Sequence, residues 1–155
     1  MLMGALAGVF GSVFGERPVL AASKASDSAW NLSDDAWRER LTAEAYNVLR
    51  NEGTERPFTS SLNDEKRSGN YHCAGCDQPL FSSQAKFDSG TGWPSFFQPL
   101  EGGIATKVDF KLIIPRTEYH CSRCGGHQGH VFNDGPRPTG KRYCNNGVAL
   151  RFQTA

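Results

Sequence analysis

The chain has no excess of charge of either sign. Its 17 Lys and Arg stand against 16 Asp and Glu, for a net charge of +1 and a sequence pI of about 7.7. A nucleic-acid binder neutralises phosphates with a basic stripe, so DNA and RNA are poor partners for this composition. Long hydrophobic runs are scarce as well. The N-terminal stretch MLMGALAGVFGSVF is the longest apolar segment, and it falls short of the roughly 20 apolar residues that a membrane-spanning helix needs. It also lacks the basic flank of a standard secretory leader, having no Lys or Arg before Arg17. There is no alternation of strand and helix patterns, which a parallel α/β sheet would require, no low-complexity segment, and no repeat beyond two short cysteine motifs. Three tryptophans and the few runs of charge argue against disorder. These absences leave a 155-residue chain of the size of one domain around a single core.

The N-terminal segment differs in texture from the rest. Its apolar run leads through Pro18 to Val19 and Ala21, spaced as in a small-residue cleavage site. The expectation is a signal-like segment or apolar tail over residues 1–22, a linker over 23–33 and a folded domain over 34–155. The protein would then be exported (periplasmic if bacterial) without stable membrane insertion after processing; a cytoplasmic protein with an apolar tail is the alternative. Ser33 is suited to cap a helix, with Asp34 and Asp35 favourable in the first turn. Trp37, Leu41, Ala45, Val48 and Leu49 recur at helical spacing, which predicts one amphipathic helix over 34–50 stopped at Gly53. Beyond it, GNYHC, PLFSS, KVDFKLIIP, TEYHC, HVFND and KRYCNNGVALRF are strand candidates separated by Gly, Pro, Asp and Ser. That pattern predicts a mainly β, antiparallel domain.

Four of the five cysteines come in pairs. YHCAGC holds Cys73 and Cys76, and YHCSRC holds Cys121 and Cys124. A CxxC turn aims two thiolates at one metal, and two such turns complete a closed tetrahedral site; the expectation is one structural zinc ion per chain. The 44 residues between Cys76 and Cys121 exceed an ordinary zinc ribbon, so β structure must intervene. Disulfides within each pair would close very small loops and stabilise little, and a thioredoxin-type CxxC needs a βαβ context that is missing.

Cys144 has no CxxC partner. On a strand, Arg142 and Asn146 would share its face, the first lowering the thiol pKa from about 8.5 and the second offering an amide donor. GGHQGHVFND adds His127 and His130. Either histidine alone could be a surface or a satisfied buried side chain; beside an unpaired thiol, a Cys/His pairing for acid–base-assisted sulfur chemistry is the better reading. Trp93, in SGTGWPSFF, would be either a lid on the core or the wall of an apolar pocket.

Taken in order, GTERPF, YHCAGC, LFSSQAKFDSGTGWPSF, YHCSRC, GGHQGHVF and DGPRPTGKRYCNNGVALRF resemble the successive motifs of the methionine-R-sulfoxide reductase B family over residues 38–152. The resemblance implies two antiparallel β-sheets in a β-tent arrangement, flanking N-terminal helices and a four-cysteine zinc at one end. It also implies Cys144 as the nucleophile that becomes a sulfenic acid, with His130, more than His127, helping to protonate the departing oxygen. Asn146 and Arg142 would polarise and position. Trp93 would pack on the substrate methyl, with Phe132 and Asp134 completing the substrate-binding set and Asp134 orienting a histidine or Arg142. Oxidised proteins are the implied substrates, and a monomer the implied state.

The chain departs from the family pattern at four positions. Many members carry a resolving cysteine where this chain has Thr91, so the sulfenic acid must be reduced from outside by a thioredoxin-like protein, glutaredoxin with glutathione, or another thiol. Gln128, Asn145 and Gly147 stand where the family commonly has Leu, a hydrophobic residue and Ser, and are expected to line the site. Two rival readings are a non-catalytic zinc-stabilised binding module and a glutathione-dependent carbon–sulfur enzyme working at the metal.

Overall fold

The computed structural model describes residues 28–155. The signal-like segment expected at 1–22 and residues 23–27 of the expected linker lie outside the described residues. The helical stretch is two helices rather than one. α1 spans Asp34–Arg40, with the Ser33 hydroxyl accepting from the Ala36 N–H, acidic residues in its first turn and basic ones in its last. Leu41 then turns extended (φ −116°, ψ 152°), and Thr42 caps a second helix, α2, over Ala43–Asn51 by accepting from the Ala45 N–H. The helical period of the apolar residues continues across this break, which is why periodicity alone did not reveal it. α2 ends in a left-handed Glu52 (φ 54°), one residue before the glycine that marked the expected stop. Among the described residues no helix is long and apolar enough to cross a membrane.

Nine strands follow: β1 (Gly69–Cys73), β2 (Pro79–Ser82), β3 (Lys86–Phe87), β4 (Ser95–Phe96), β5 (Ile104–Asp109), β6 (Arg116–Cys121), β7 (His127–Phe132), β8 (Arg142–Asn145) and β9 (Leu150–Thr154). They form a three-stranded sheet ordered β2-β1-β9 and a six-stranded sheet ordered β3-β4-β8-β7-β6-β5, every pairing antiparallel. The mainly β, two-sheet expectation holds. Two strand candidates change. KVDFKLIIP pairs only as far as Asp109, whose carboxylate takes the Lys111 N–H and turns the chain out of the sheet. KRYCNNGVALRF is two strands in different sheets, joined by a 3-10 turn at Gly147–Ala149. That turn carries the chain from the large sheet to the small one.

The core lies between the sheets. Phe81 of β2 stacks on Phe96 of β4 at 4.2 Å, Tyr71 of β1 meets Phe96 edge-on at 4.9 Å, and Tyr119 of β6 meets Tyr143 of β8 at 5.4 Å. All four rings of the first three strands named and of β6 are buried. Truncating any one of them costs about 3–5 kcal/mol by the usual scale for aromatic core residues. The helices cover one end: Trp37 is buried beneath the Arg50 guanidinium, and α2 packs on β7.

Candidate active site and metal centre

The two CxxC turns fold alike. β1 runs into Cys73, whose carbonyl accepts from the Asp77 N–H, and β6 runs into Cys121, whose carbonyl accepts from the Gly125 N–H. Asp77 and Gly125 both take left-handed backbone (φ 64° and 71°), which Asp and Gly tolerate better than most residues. The turns bring all four sulfurs within 4.8 Å of one another, fully buried. Short contacts run between the pairs, Cys73 to Cys124 at 3.7 Å and Cys76 to Cys121 at 3.5 Å. A tetrahedron with metal–sulfur bonds of about 2.3 Å has edges of roughly 3.8 Å, so these four residues fit a metal ion. No two of the five cysteines are bonded, and the short contacts run between the two CxxC pairs rather than within them, which does not fit a disulfide inside each pair.

Cys144 sits mid-strand on β8, opposite Ser95 of β4 on one side and His130 of β7 on the other. Directly paired residues point to the same face of a sheet, and so do residues two apart. Cys144, His130, Arg142 and its partner Phe132 therefore share one face, while Tyr143 and Asn145 point into the core. The shared face floors a pocket of about 250 Å³, walled by Trp93 and Thr91 from the loop before β4. Gly129, next to this pairing, must lack a side chain: a Cβ there would fall 1.8 Å from the Cys144 carbonyl oxygen.

The site's polar groups are held from outside the pocket. Asp134 grips Arg142 with two hydrogen bonds, at 2.9 and 3.0 Å, and the guanidinium lies 4.5 Å over the Phe132 ring. Asp109 accepts from His130 Nε2 at 2.7 Å and from Arg116 at 2.8 Å, leaving His130 Nδ1 without a partner among the described residues. Glu118 takes Nδ1 of His127 at 2.7 Å and of His120 at 2.9 Å. Burial pushes the Glu118 carboxyl up, but these two histidine hydrogen bonds outweigh it and bring it down to about 2. Burial lowers His130, with Asp109 opposing. Burial also pushes the Cys144 thiol up; the Arg142 charge and hydrogen bonds from Thr91 and Arg142 pull it back only in part. The expectation of a thiol pKa lowered by Arg142 is thus corrected: the guanidinium acts in that direction, but desolvation is larger.

Other expectations meet the structure with similar amendments. Trp93, Phe132, His130, Arg142, Cys144 and Asn146 all line the pocket; His127 and Asp134 do not. His127 is buried, and its Nε2 has no partner among the described residues. Asn146 lies past the end of β8, at the start of the 3-10 turn. Its amide is engaged with the backbone, accepting from the Glu55 N–H and donating to the Gln128 carbonyl, both at 2.9 Å. Gln128 lies beneath the site, not on it. Its amide oxygen accepts from Asn145 at 3.0 Å, its nitrogen approaches Cys73 Sγ at 3.4 Å, and Tyr119 donates to Asn145 at 2.8 Å. The two departures from the family pattern satisfy each other as a buried polar pair. At Gly147 a Cβ would lie 2.0 Å from the Ser60 hydroxyl.

Two supporting residues were missed in the sequence. Asp109 carried no signal within an ordinary strand candidate. Glu55 was visible only as part of GTERPF. Its carbonyl accepts from Trp93 Nε1 at 2.9 Å, its N–H donates to Asn146, and its carboxylate accepts from the Gly147 N–H at 2.6 Å. One residue thus ties the pocket wall to the strand end beside the thiol.

Fold and site together define a mainly β protein with four cysteines placed to hold a metal ion and one accessible cysteine in a small pocket walled by aromatic and basic groups. Residues 41–154 match the family model described as the SelR domain. The chain is 53% identical over 124 residues to the peptide methionine sulfoxide reductase MsrB of Leptospira interrogans, covering 79% of this chain and 95% of that protein. It is 52% identical to the chloroplastic peptide methionine sulfoxide reductase B1 of Oryza sativa subsp. japonica and 53% to that of Arabidopsis thaliana. It spans only 58% and 61% of the length of these two plant proteins. The chain belongs to the SelR family, the peptide methionine sulfoxide reductases of MsrB type.

Proposed function

We propose that this protein reduces methionine-R-sulfoxide, in oxidised proteins, to methionine with Cys144 as nucleophile. The observation that carries the reading is Cys144 paired across from His130 on the floor of a pocket walled by Trp93, Phe132 and Arg142. Trp93 and Phe132 offer an apolar seat for the sulfoxide's methyl group. Arg142 favours the Cys144 thiolate, which attacks the sulfoxide sulfur. Asp109 accepts from His130 Nε2–H, so the bare Nδ1 first takes the Cys144 thiol proton and then gives it to the sulfoxide oxygen, which ends on Cys144 as its bond to the methionine sulfur breaks. His127, locked by Glu118 behind His130, supports the wall rather than touching substrate. In balance, thiol plus sulfoxide give sulfenic acid plus thioether.

One external thiol then forms a mixed disulfide with Cys144, releasing water, and a second frees Cys144 as a disulfide leaves. Thr91, within hydrogen-bond reach of the Cys144 thiol, cannot act as a resolving thiol, and the other four cysteines are buried together. The electrons therefore come from a thioredoxin-like protein, glutaredoxin with glutathione, or a small thiol. Cys73, Cys76, Cys121 and Cys124 hold a zinc ion that braces the ends of β1 and β6 and leaves no ligand position for substrate. The donor set of four thiolates supports this assignment. Residues 1–22 export the protein, and the N-terminus of the mature chain from cells tests this: a chain beginning at Met1 refutes it. Cys144→Ser tests the function: reduction of an R-sulfoxide peptide driven by dithiothreitol is lost, and retained activity would move the chemistry elsewhere, to the metal or to no site at all.

A further inference from the structure

The most exposed apolar side chains of the described residues gather on the β5–β6 connection, beside the pocket. Phe110 is 74% exposed, Leu112 57%, Ile113 103% and Ile114 75%. Ordinary loops do not present four large apolar groups in five residues to water, and clusters of this kind mark contact surfaces. The loop is built into the site wall. Asp109 at its start binds both His130, on the pocket floor, and Arg116, which begins β6 and lines the pocket. The ends of the loop are clamped to each other and to the proposed proton donor. A second exposed ring, Phe58 (73%), stands at the opposite wall. Its N–H donates to the Gly92 carbonyl at 2.7 Å, between pocket residues Thr91 and Trp93. Phe58 also holds a left-handed backbone (φ 62°), an uncommon conformation for a bulky residue and one found disproportionately at functional sites.

We propose that Phe110, Ile113 and Ile114 on one side of the pocket, with Phe58 on the other, form subsites for apolar residues flanking the oxidised methionine in an unfolded polypeptide. This inference rests on the function proposed above and names the substrates that site prefers. The occupant is an extended peptide because the apolar groups stand on two sides of a pocket that holds one side chain, as neighbours along a chain would. A lipid surface fits less well: Lys111, the loop's lysine, and Lys107 of the adjoining β5 both pair with the Glu52 carboxylate, which offsets one of their two charges and leaves little positive field for anionic headgroups. Methionine is commonly buried in cores, so its sequence neighbours are often apolar and become accessible when an oxidised protein unfolds.

The test uses three R-sulfoxide substrates with the full chain and dithiothreitol: glycyl-methionine sulfoxide-glycine, a nonapeptide with Leu, Val and Phe flanking the sulfoxide, and a nonapeptide with Ser and Asp in their place. The wild type is expected to show a KM about tenfold lower for the apolar nonapeptide than for the polar one, with similar kcat. In F110S/I113S/I114S, whose changed side chains lie at the surface, that difference collapses while the tripeptide is reduced as before. Equal KM values in the wild type, or a preference that survives the triple variant, overturns the subsites. So does finding by sedimentation that the loop joins two copies, or by flotation that it binds phosphatidylglycerol vesicles, if the triple variant abolishes that association and leaves KM unchanged. If the wild type reduces none of the three substrates, the reductase reading itself fails, and the subsites with it.

Discussion

Arg142 and Asp134 act on the Cys144 thiol with opposite signs, and that opposition can be measured. Burial holds the thiol above its usual range, while the Arg142 charge and its hydrogen bond lower it and the Asp134 charge, farther off, raises it. An opposite charge within about 4–6 Å shifts a pKa by roughly 1–3 units. Here the Asp134 carboxylate neutralises part of the guanidinium's field, and removing the cation in Arg142→Met should still raise the thiol further. Below the thiol pKa that means less thiolate and lower kcat/KM, about tenfold for each unit the pKa rises, with the two profiles converging at alkaline pH. Asp134→Asn leaves the cation without its counter-charge and should shift the Cys144 profile downward. The assay is kcat/KM against pH for the three proteins, with iodoacetamide alkylation of Cys144 as a chemistry-free readout on the metal-loaded chain. A uniform loss across all pH values in Arg142→Met would refute the electrostatic role and leave Arg142 as a wall. A shift of both variants in the same direction would refute the opposing roles.

Two further outcomes concern stability. Glu118 has its carboxyl lowered from an ordinary 4.5 to about 2, so its stabilising contribution is present above 4.5 and is lost as pH falls toward 2. This group contributes on the order of 3 kcal/mol at neutral pH, and Glu118→Gln should flatten the acid limb of a denaturation curve measured from pH 5 to 2; an unchanged acid limb contradicts the assignment. Removing the metal with a strong chelator, or changing Cys76 to Ser, should lower the thermal midpoint and release about one zinc ion per chain, read by mass spectrometry of the released metal. Full retention of both midpoint and activity after stripping would show that the cysteines do not brace the fold.

The four-cysteine cluster was legible because its geometry is largely local. Each CxxC turn closes through its own backbone, Cys73 to Asp77 and Cys121 to Gly125, and only the meeting of the two knuckles needs the fold. Arg142 and Cys144 were likewise read correctly as sharing a face, since strand alternation is a property of three consecutive residues. Asn146 lines the same pocket but from just past the end of β8, where its amide is tied to backbone groups, so strand alternation did not describe how it is held. The single helix over 34–50 failed for a related reason: Leu41 keeps the apolar period while its backbone leaves it.

The sequence by itself determined the residue types of the site, the two CxxC turns, the mainly β class and a threonine rather than a thiol at position 91. Only the tertiary structure decided which groups act on which. Asp109 reaches His130 across 21 residues of chain, Glu55 reaches Asn146 across 91, and Gln128 meets Asn145 through the pairing of β7 and β8. Such contacts depend on strand order and register, and no pattern in a few neighbouring residues encodes them. The sign of the Cys144 pKa belongs to the same class: a neighbouring arginine can be read from sequence, but the desolvation that outweighs it exists only once two sheets and a loop have closed around the thiol.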